Sequence, residues 1–243
     1  MLMKLQHILS KHQQHKLITF TNTLNVDEMY TPEPSDKNIP SWYKNTSNRI
    51  GDKKEPSSTP TVKKCIPVFD AMTLGYYIVT TGDVYIKQTD SGIEYIQAQT
   101  ANYQIIDGKS HPLMQASKHP GSHGLPVFPK WINSWAIKTP KGYSTLFVPP
   151  MHNPNPYFTA FPGCVDTDTY SAPVNFPFQL NDPKFEGLIP AGTPIIQVIP
   201  FKRDSWKMKI SLDIQSVNKI IIKLNSQMWD RYKRMFWHHK EYK

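Results

Sequence analysis

Twenty-two prolines in 243 residues, against 11 glycines, set the first limit on how this chain folds. Proline fixes φ and removes a backbone donor, so it breaks helix interiors and is confined to loops, strand ends and sheet edges. A chain punctuated this way has to be built from short strands joined by stiff connections. The runs between the prolines agree. Leu74-Gly75-Tyr76-Tyr77-Ile78-Val79, Val84-Tyr85-Ile86-Lys87 and Ile93-Glu94-Tyr95-Ile96 are β-branched and aromatic, and the turns Thr81-Gly82-Asp83 and Asp90-Ser91-Gly92 separate them. Runs of this kind at about ten-residue spacing predict an antiparallel meander. Further strands are predicted over 17–21, 62–69, 163–165, 174–180 and 193–200, with a hairpin of 131–138 and 143–148 across Thr139-Pro140-Lys141-Gly142. Residues 205–212 alternate Trp206, Met208, Ile210 and Leu212 with Lys207 and Lys209, the pattern of a strand with one wet, basic face.

The ends read differently from the middle. Residues 1–61 form an extended arm with prolines at 32, 34, 40, 56 and 60, too polar and too broken to build a core of its own. Within it, Ile39-Pro40-Ser41-Trp42-Tyr43 is an aromatic knob. Trp42 and Tyr43 carry much apolar area at little entropic cost, and are expected to anchor the arm on its own domain or on a neighbouring subunit. A linear partner motif is the other reading. Residues 62–212 make the β domain. In 213–243, Val217, Ile221, Leu224, Met228, Tyr232 and Met235 fall on one stripe of a helix, with Ser216 as its N-cap. That stripe is expected to pack on the β domain or on a symmetry mate, and a helix lying on a membrane surface is the minor reading.

Charge is uneven along the chain. The net +9 divides into +4 over residues 1–64, −2 over 65–200 and +7 over 201–243. A nucleic-acid or acidic-partner surface therefore belongs on the C-terminal segment, where Arg231, Lys233, Arg234 and Trp237 mix cations with an aromatic ring. Helix packing and a solvated basic face account for the same residues. The two cysteines, Cys65 and Cys164, are too few for a disulfide framework or a Cys-rich metal site and are expected as free, buried thiols. With no long apolar run and no leader-like apolar stretch, a soluble protein of the host cytoplasm or the virion is expected, neither secreted nor membrane-spanning.

Few patterns carry chemistry. His119 and His123, with His111 or His152 as a third ligand, read as a surface loop, and no metal site is assigned. No phosphate-cradling glycine loop and no Gly-x-Ser-x-Gly elbow is present. The remaining pattern is Gly163-Cys164-Val165-Asp166-Thr167-Asp168-Thr169-Tyr170, followed by Gly192-Thr193-Pro194-Ile195-Ile196-Gln197-Val198. Asp166 and Asp168 either share a Mg²⁺ ion or cap their own turn through local hydrogen bonds.

In order and spacing, these two segments and the Gly142-Tyr143 strand before them resemble the trimeric dUTPase and dCTP deaminase fold. That family has a Gly-Val-Ile-Asp-x-Asp-Tyr hairpin and a later Gly-x-Arg-Ile-Ala-Gln-Leu strand. The resemblance covers about a quarter of the chain. It implies an antiparallel β-barrel or distorted jelly roll and a homotrimer. It also implies that Asp166 is the carboxylate that positions water against a phosphate. Tyr170 would be the ring that stacks on a deoxyribose, with Asp168 and Gln197 beside the ligand. The sequence departs from the family where the phosphates should be held. A Pro-Arg-Ser-Ser-type turn is replaced by Val148-Pro149-Pro150-Met151-His152-Asn153-Pro154. Phe176 stands where the deaminases need a glutamate, and the glycine-rich C-terminal flap is missing. Taken whole, with its Ile39-Pro40-Ser41-Trp42-Tyr43 arm, its Val165-Asp166-Thr167-Asp168-Thr169-Tyr170 turn and then Ile199-Pro200-Phe201-Lys202-Arg203-Asp204, the chain also looks like a group of tailed-phage-encoded proteins to which no activity is attached.

The expectation is therefore a mainly β chain: a dUTPase-like barrel with an N-terminal arm and a basic C-terminal helix. Its expected role is non-catalytic, in assembly or binding in or around the virion, with virion proteins as partners and no cofactor. Two other readings stand beside it. One is a nucleotide hydrolase using Asp166 with Mg²⁺. The other is nucleic-acid binding through the C-terminal helix.

Overall fold

Short strands dominate the structure, a computed structural model that describes residues 16–51, 58–90, 92–97, 103–108, 118–120, 128–225 and 231–243. In chain order the strands are β1 (Thr19–Asn22), β2 (Glu33–Pro34), β3 (Arg49–Ile50), β4 (Thr59–Pro60), β5 (Tyr76–Val79), β6 (Val84–Thr89), β7 (Gly92–Gln97) and β8 (Ile106–Asp107). They continue as β9 (Lys130–Trp131), β10 (Trp135–Lys138), β11 (Tyr143–Val148), β12 (Phe158–Ala160), β13 (Gly163–Val165), β14 (Phe176–Leu180), β15 (Gly187–Ile189) and β16 (Pro194–Lys202). The helices are α1 (Ser41–Asn45), α2 (Ile66–Thr73), α3 (Ile214–Asn225) and α4 (Arg231–Met235). The chain is mainly β and every strand pair is antiparallel, as the proline and turn spacing predicts.

Four of the sheets close around one core. The five-stranded sheet runs β13-β11-β16-β5-β2, the four-stranded sheet β12-β14-β9-β8, the three-stranded sheet β15-β6-β7, and β1 pairs with β10. Aromatic rings join the layers. Phe147 on β11 lies 5.4 Å from Phe176 on β14, Trp131 stacks on Phe178 at 4.9 Å, and Tyr95 on β7 meets Phe178 edge-on at 6.4 Å. Trp131, Phe147, Phe158, Phe178 and Ile196 are all shut off from solvent. Rings packed at such spacings contribute about 0.5–1.5 kcal/mol per pair beyond their buried area. The predicted meander of β6 and β7 forms, with Tyr85 opposite Ile96 and Lys87 opposite Glu94.

Several local expectations are corrected. Residues 62–69 are not a strand: a 3₁₀ turn, Val62–Lys64, leads into α2. Pro67 sits in the first turn of α2, where its fixed φ suits a helix and its missing N–H has no intrahelical partner to lose. The predicted hairpin of 131–138 and 143–148 does not pair with itself. Asn133 breaks the first strand by bonding both the amide and the carbonyl of Trp135. Its own amide meanwhile donates to Asn175 Oδ1 at 3.0 Å. β10 then pairs with β1, and β11 pairs with β13 and β16, so 139–142 is a corner between sheets. Residues 205–212 pair with no strand among the described residues, and Trp206, Met208, Ile210 and Leu212 all face solvent.

Among the described residues the C-terminal segment is helical over α3 and α4, and Asp213 rather than Ser216 caps α3. Asp213 Oδ1 accepts from the amides of Gln215 and Ser216, as an N-cap side chain does. The apolar stripe of α3 and α4 (Val217, Ile221, Leu224, Tyr232 and Met235) is exposed; Met228 lies outside the described residues. After α4 the chain turns back onto the β domain, where Tyr242 packs edge-on against Tyr76 at 5.8 Å. No helix among the described residues is long and apolar enough to cross a membrane.

Candidate functional site

The acidic turn is organised from its middle residue. Thr167 is buried, and its Oγ1 lies 2.8 Å from both Thr139 Oγ1 and Thr145 Oγ1. Thr139 also donates its amide to the Thr167 carbonyl and its hydroxyl to the carbonyl of Tyr143. This chain of hydroxyls ties the turn after β13 to the corner before β11 and fixes where the flanking carboxylates stand.

Asp168 is the inner carboxylate, its side chain 4% exposed, and Asp166 the outer one, 62% exposed. Arg203 joins them. Its Nη1 and Nη2 reach Asp168 Oδ1 and Oδ2 at 2.7 and 2.5 Å, and Nη1 also stands 3.1 Å from Asp166 Oδ1. The Gly142 amide donates to Asp168 Oδ2 at 2.8 Å, and Ser144 Oγ donates to Asp166 Oδ1 at 2.6 Å. β16 delivers the guanidinium: its last residue, Lys202, pairs with Tyr143, and the Arg203 amide continues to the Gly142 carbonyl. A bidentate Arg–carboxylate pair with an added backbone donor is among the stronger polar arrangements available to a protein.

Both acids respond in the same direction. The Arg203 hydrogen bonds, with the Gly142 amide, lower the Asp168 carboxyl to about 2. Asp166 is held below its usual range chiefly by the Ser144 hydroxyl and then by Arg203. Arg203 is correspondingly raised. A carboxylate stabilised in its charged form is a weak proton acceptor near neutral pH, whereas a general base works best with a pKa close to the working pH. A Mg²⁺ ion shared by the two aspartates would have to displace the guanidinium. Among the described residues no three His, Cys, Asp or Glu side chains are grouped to hold a metal ion.

Gln197 lies elsewhere and serves the interior. It is fully buried on β16, its Oε1 accepting the Met151 amide at 3.0 Å and its Nε2 donating to the carbonyls of Ala71 and Leu74. Those carbonyls end α2, where helical partners run out. Gln197 thus binds α2 and the 149–151 loop to the sheet. Tyr170 closes the acidic turn by donating its amide to the Asp166 carbonyl at 2.8 Å, and its ring is half exposed.

The aromatic knob lies against the β domain of its own chain. Trp42 Nε1 donates to the His152 carbonyl at 2.8 Å, while Tyr43 is buried 6.2 Å from the Phe69 ring and donates to the Lys63 carbonyl. At the other end, Trp237 Nε1 donates to both oxygens of Asp70 at 2.9 and 3.0 Å, and Lys240 joins the same carboxylate. Lys233 lies over the Trp237 ring at 5.5 Å, Arg234 is exposed, and Arg231 opens α4. His119 packs against the Phe128 and Phe161 rings, which also touch each other; His111 and His123 lie outside the described residues. Cys65 and Cys164 are free but exposed, not buried, because one ends a 3₁₀ turn and the other lies on the edge strand β13. A cleft of about 370 Å³ lined by Lys16, Tyr76, Tyr143, Tyr242 and Lys243 contains none of the sequence candidates.

Of the candidates, the fold joins Asp166, Asp168 and Tyr170 in one turn and leaves Gln197, the aromatic knob and the C-terminal cations apart. Sequence reasoning missed Arg203, Ser144, Thr167 and Asp70. The available signal was Lys202-Arg203-Asp204 directly after an apolar strand, a charged group with its backbone position fixed.

No known family's sequence profile matches the chain, and no curated protein sequence does. Among solved structures the chain is similar to a mutant Staphylococcus bacteriophage 80alpha dUTPase with dUpNHpp, at 10% identity and a TM-score of 0.34, over 83% of this chain and 91% of that one.

Proposed function

We propose that this chain is a non-catalytic, dUTPase-like β module, encoded by a phage and used for assembly or binding in or around the virion. The observation that carries the reading is the engagement of the acidic turn by Arg203. Asp168 holds the guanidinium at two points and Asp166 shares it with Ser144, so both carboxylates act as fixed acceptors in a corner of the fold. Gln197, the other polar candidate from the two signature segments, spends its bonds on α2 and the 149–151 loop. Turnover with dUTP, and with each of the four common dNTPs in Mg²⁺, tests the reading. The protein is expected to release no more phosphate or pyrophosphate than an Asp166→Asn variant.

One observation favours the hydrolase reading: Asp166 is ionised and its side chain is 62% exposed, so it stays within reach of solvent. Turnover that Asp166→Asn abolishes would replace the non-catalytic reading with that one. Mass spectrometry of purified particles tests the assembly role, and absence of the protein from them counts against it. The nucleic-acid reading predicts a salt-dependent affinity that falls in Lys233→Ala and Arg234→Ala.

A further inference from the structure

We infer that residues 205–225 are an arm that docks on the three-stranded sheet of a second copy of this chain. On the arm, Trp206, Met208, Ile210 and Leu212 are 91, 85, 79 and 93% exposed, along a segment that pairs with no strand among the described residues. Asp213 then caps α3, whose Val217, Ile220, Ile221 and Leu224 form one stripe, also exposed. Both ends of the segment are tied to the β domain, by Arg203 on Asp168 before it and by Trp237 on Asp70 after it. A strand pattern without a sheet, followed by a helix face without a floor, requires an acceptor that offers both an open edge and an apolar face.

The sheet β15-β6-β7 offers both. Among the described residues β7 is its outer strand, and at six residues it is long enough to accept an added strand. On the outward face, Leu188, Tyr85 and Ile96 stand opposite one another across the three strands, and each is exposed. In the docked arrangement, 205–212 extends the sheet beyond β7. Trp206, Met208 and Ile210 then continue the layer of Ile93 and Tyr95, while Lys207 and Lys209 fall on the side of Glu94. The stripe of α3 covers the Leu188–Tyr85–Ile96 row.

Two further facts select a second copy as the occupant. The arm carries Lys207, Lys209, Lys219 and Lys223 against Asp213 alone, whereas β6, β7 and their turns carry Asp83, Asp90 and Glu94 against Lys87 alone. The arm has 21 residues, within the roughly 20–30 a side, or about 800 Å² per partner, of a stable interface. Every copy carries both halves of the match. The inference holds whether or not the acidic turn is catalytic, so its failure and that of the functional proposal are read in different assays.

The test is the mass of the full chain by sedimentation and light scattering at micromolar concentration. The wild type is expected at a multiple of the chain mass and the Met208→Asp, Ile210→Asp double variant at the single-chain mass. Both side chains are exposed in the single chain, so the variant should keep the wild-type circular dichroism spectrum, while its thermal midpoint loses only what assembly adds. A single-chain wild type, or a double variant that still assembles, overturns the inference. A second measurement locates the contact. In a Cys65→Ser, Cys164→Ser background, Glu94→Cys chains mixed with Lys209→Cys chains should give a mixed disulfide on oxidation. Failure of that bond to form in the assembled species, or a wild type that stays single and instead co-sediments with anionic lipid vesicles, overturns it.

Discussion

Arg203 and Asp168 meet through two parallel hydrogen bonds, Nη1 to Oδ1 at 2.7 Å and Nη2 to Oδ2 at 2.5 Å, at a point where the end of β16 crosses the corner before β11. The pair gives the acidic turn its character. It locks two carboxylates that in isolation read as a metal or proton-transfer pair, and it anchors the C-terminal arm where that arm leaves the sheet.

This pair makes stability depend on acid. Asp168 has a folded-state pKa lowered to about 2, and Asp166 is lowered in the same direction. The stabilisation is present above the ordinary aspartate range and is lost as pH falls through the folded value, because the unfolded chain then binds more protons. Denaturant midpoints should therefore drop as pH falls from about 4 to about 2. In Arg203→Met that drop should be much smaller, with the variant below the wild type at pH 7 and level with it near the bottom of the range. Parallel pH profiles would contradict the assignment.

Gln197→Leu should cost about 3 kcal/mol, because it leaves the Met151 amide and the Ala71 and Leu74 carbonyls without their partner inside the protein. Chemical denaturation at neutral pH measures this. A cost under about 1 kcal/mol would mean that water replaces the amide.

Gly75→Ala should be severe. Gly75 has φ +68°, and an added Cβ would stand 2.0 Å from the Val198 carbonyl oxygen, a backbone atom of β16. Left-handed strain costs on the order of 1–3 kcal/mol before the clash is counted. The variant should express as insoluble protein or unfold at a clearly lower temperature. A soluble variant with the wild-type midpoint would contradict the close approach of β5 and β16.

The two halves of the aromatic knob should differ. Tyr43 is buried against Phe69, so Tyr43→Ala should cost about 3 kcal/mol. Trp42 is partly exposed and its side chain makes one hydrogen bond, to the His152 carbonyl, so Trp42→Phe should cost about 1 kcal/mol or less. Equal costs in thermal unfolding would show that residues 41–45 are not held as described.

Much of the fold was legible because proline and turn spacing act locally. β6, β7, β11 and β13 lie where their β-branched runs and flanking turns put them. What was not legible depends on pairing. Nothing local shows that β10 leaves β11 for β1, because Asn133 breaks the strand with its own side chain. Pro67 reads as a strand breaker or a helix starter according to what lies above it, and Gln197 bridging α2 to the sheet decides that. The candidate site was half legible. Asp166, Asp168 and Tyr170 are adjacent in sequence and their turn forms as a unit, whereas Arg203 arrives from 35 residues further on than Asp168. That guanidinium ion-pairs both carboxylates of the turn.

A turnover assay decides whether the acidic turn, proposed above to hold the fold without doing chemistry, has an activity. With Mg²⁺ and dUTP or any common dNTP, wild type and Asp166→Asn should release phosphate or pyrophosphate at the same background rate. Turnover by the wild type that disappears in Asp166→Asn, with the fold intact by circular dichroism, would contradict the account.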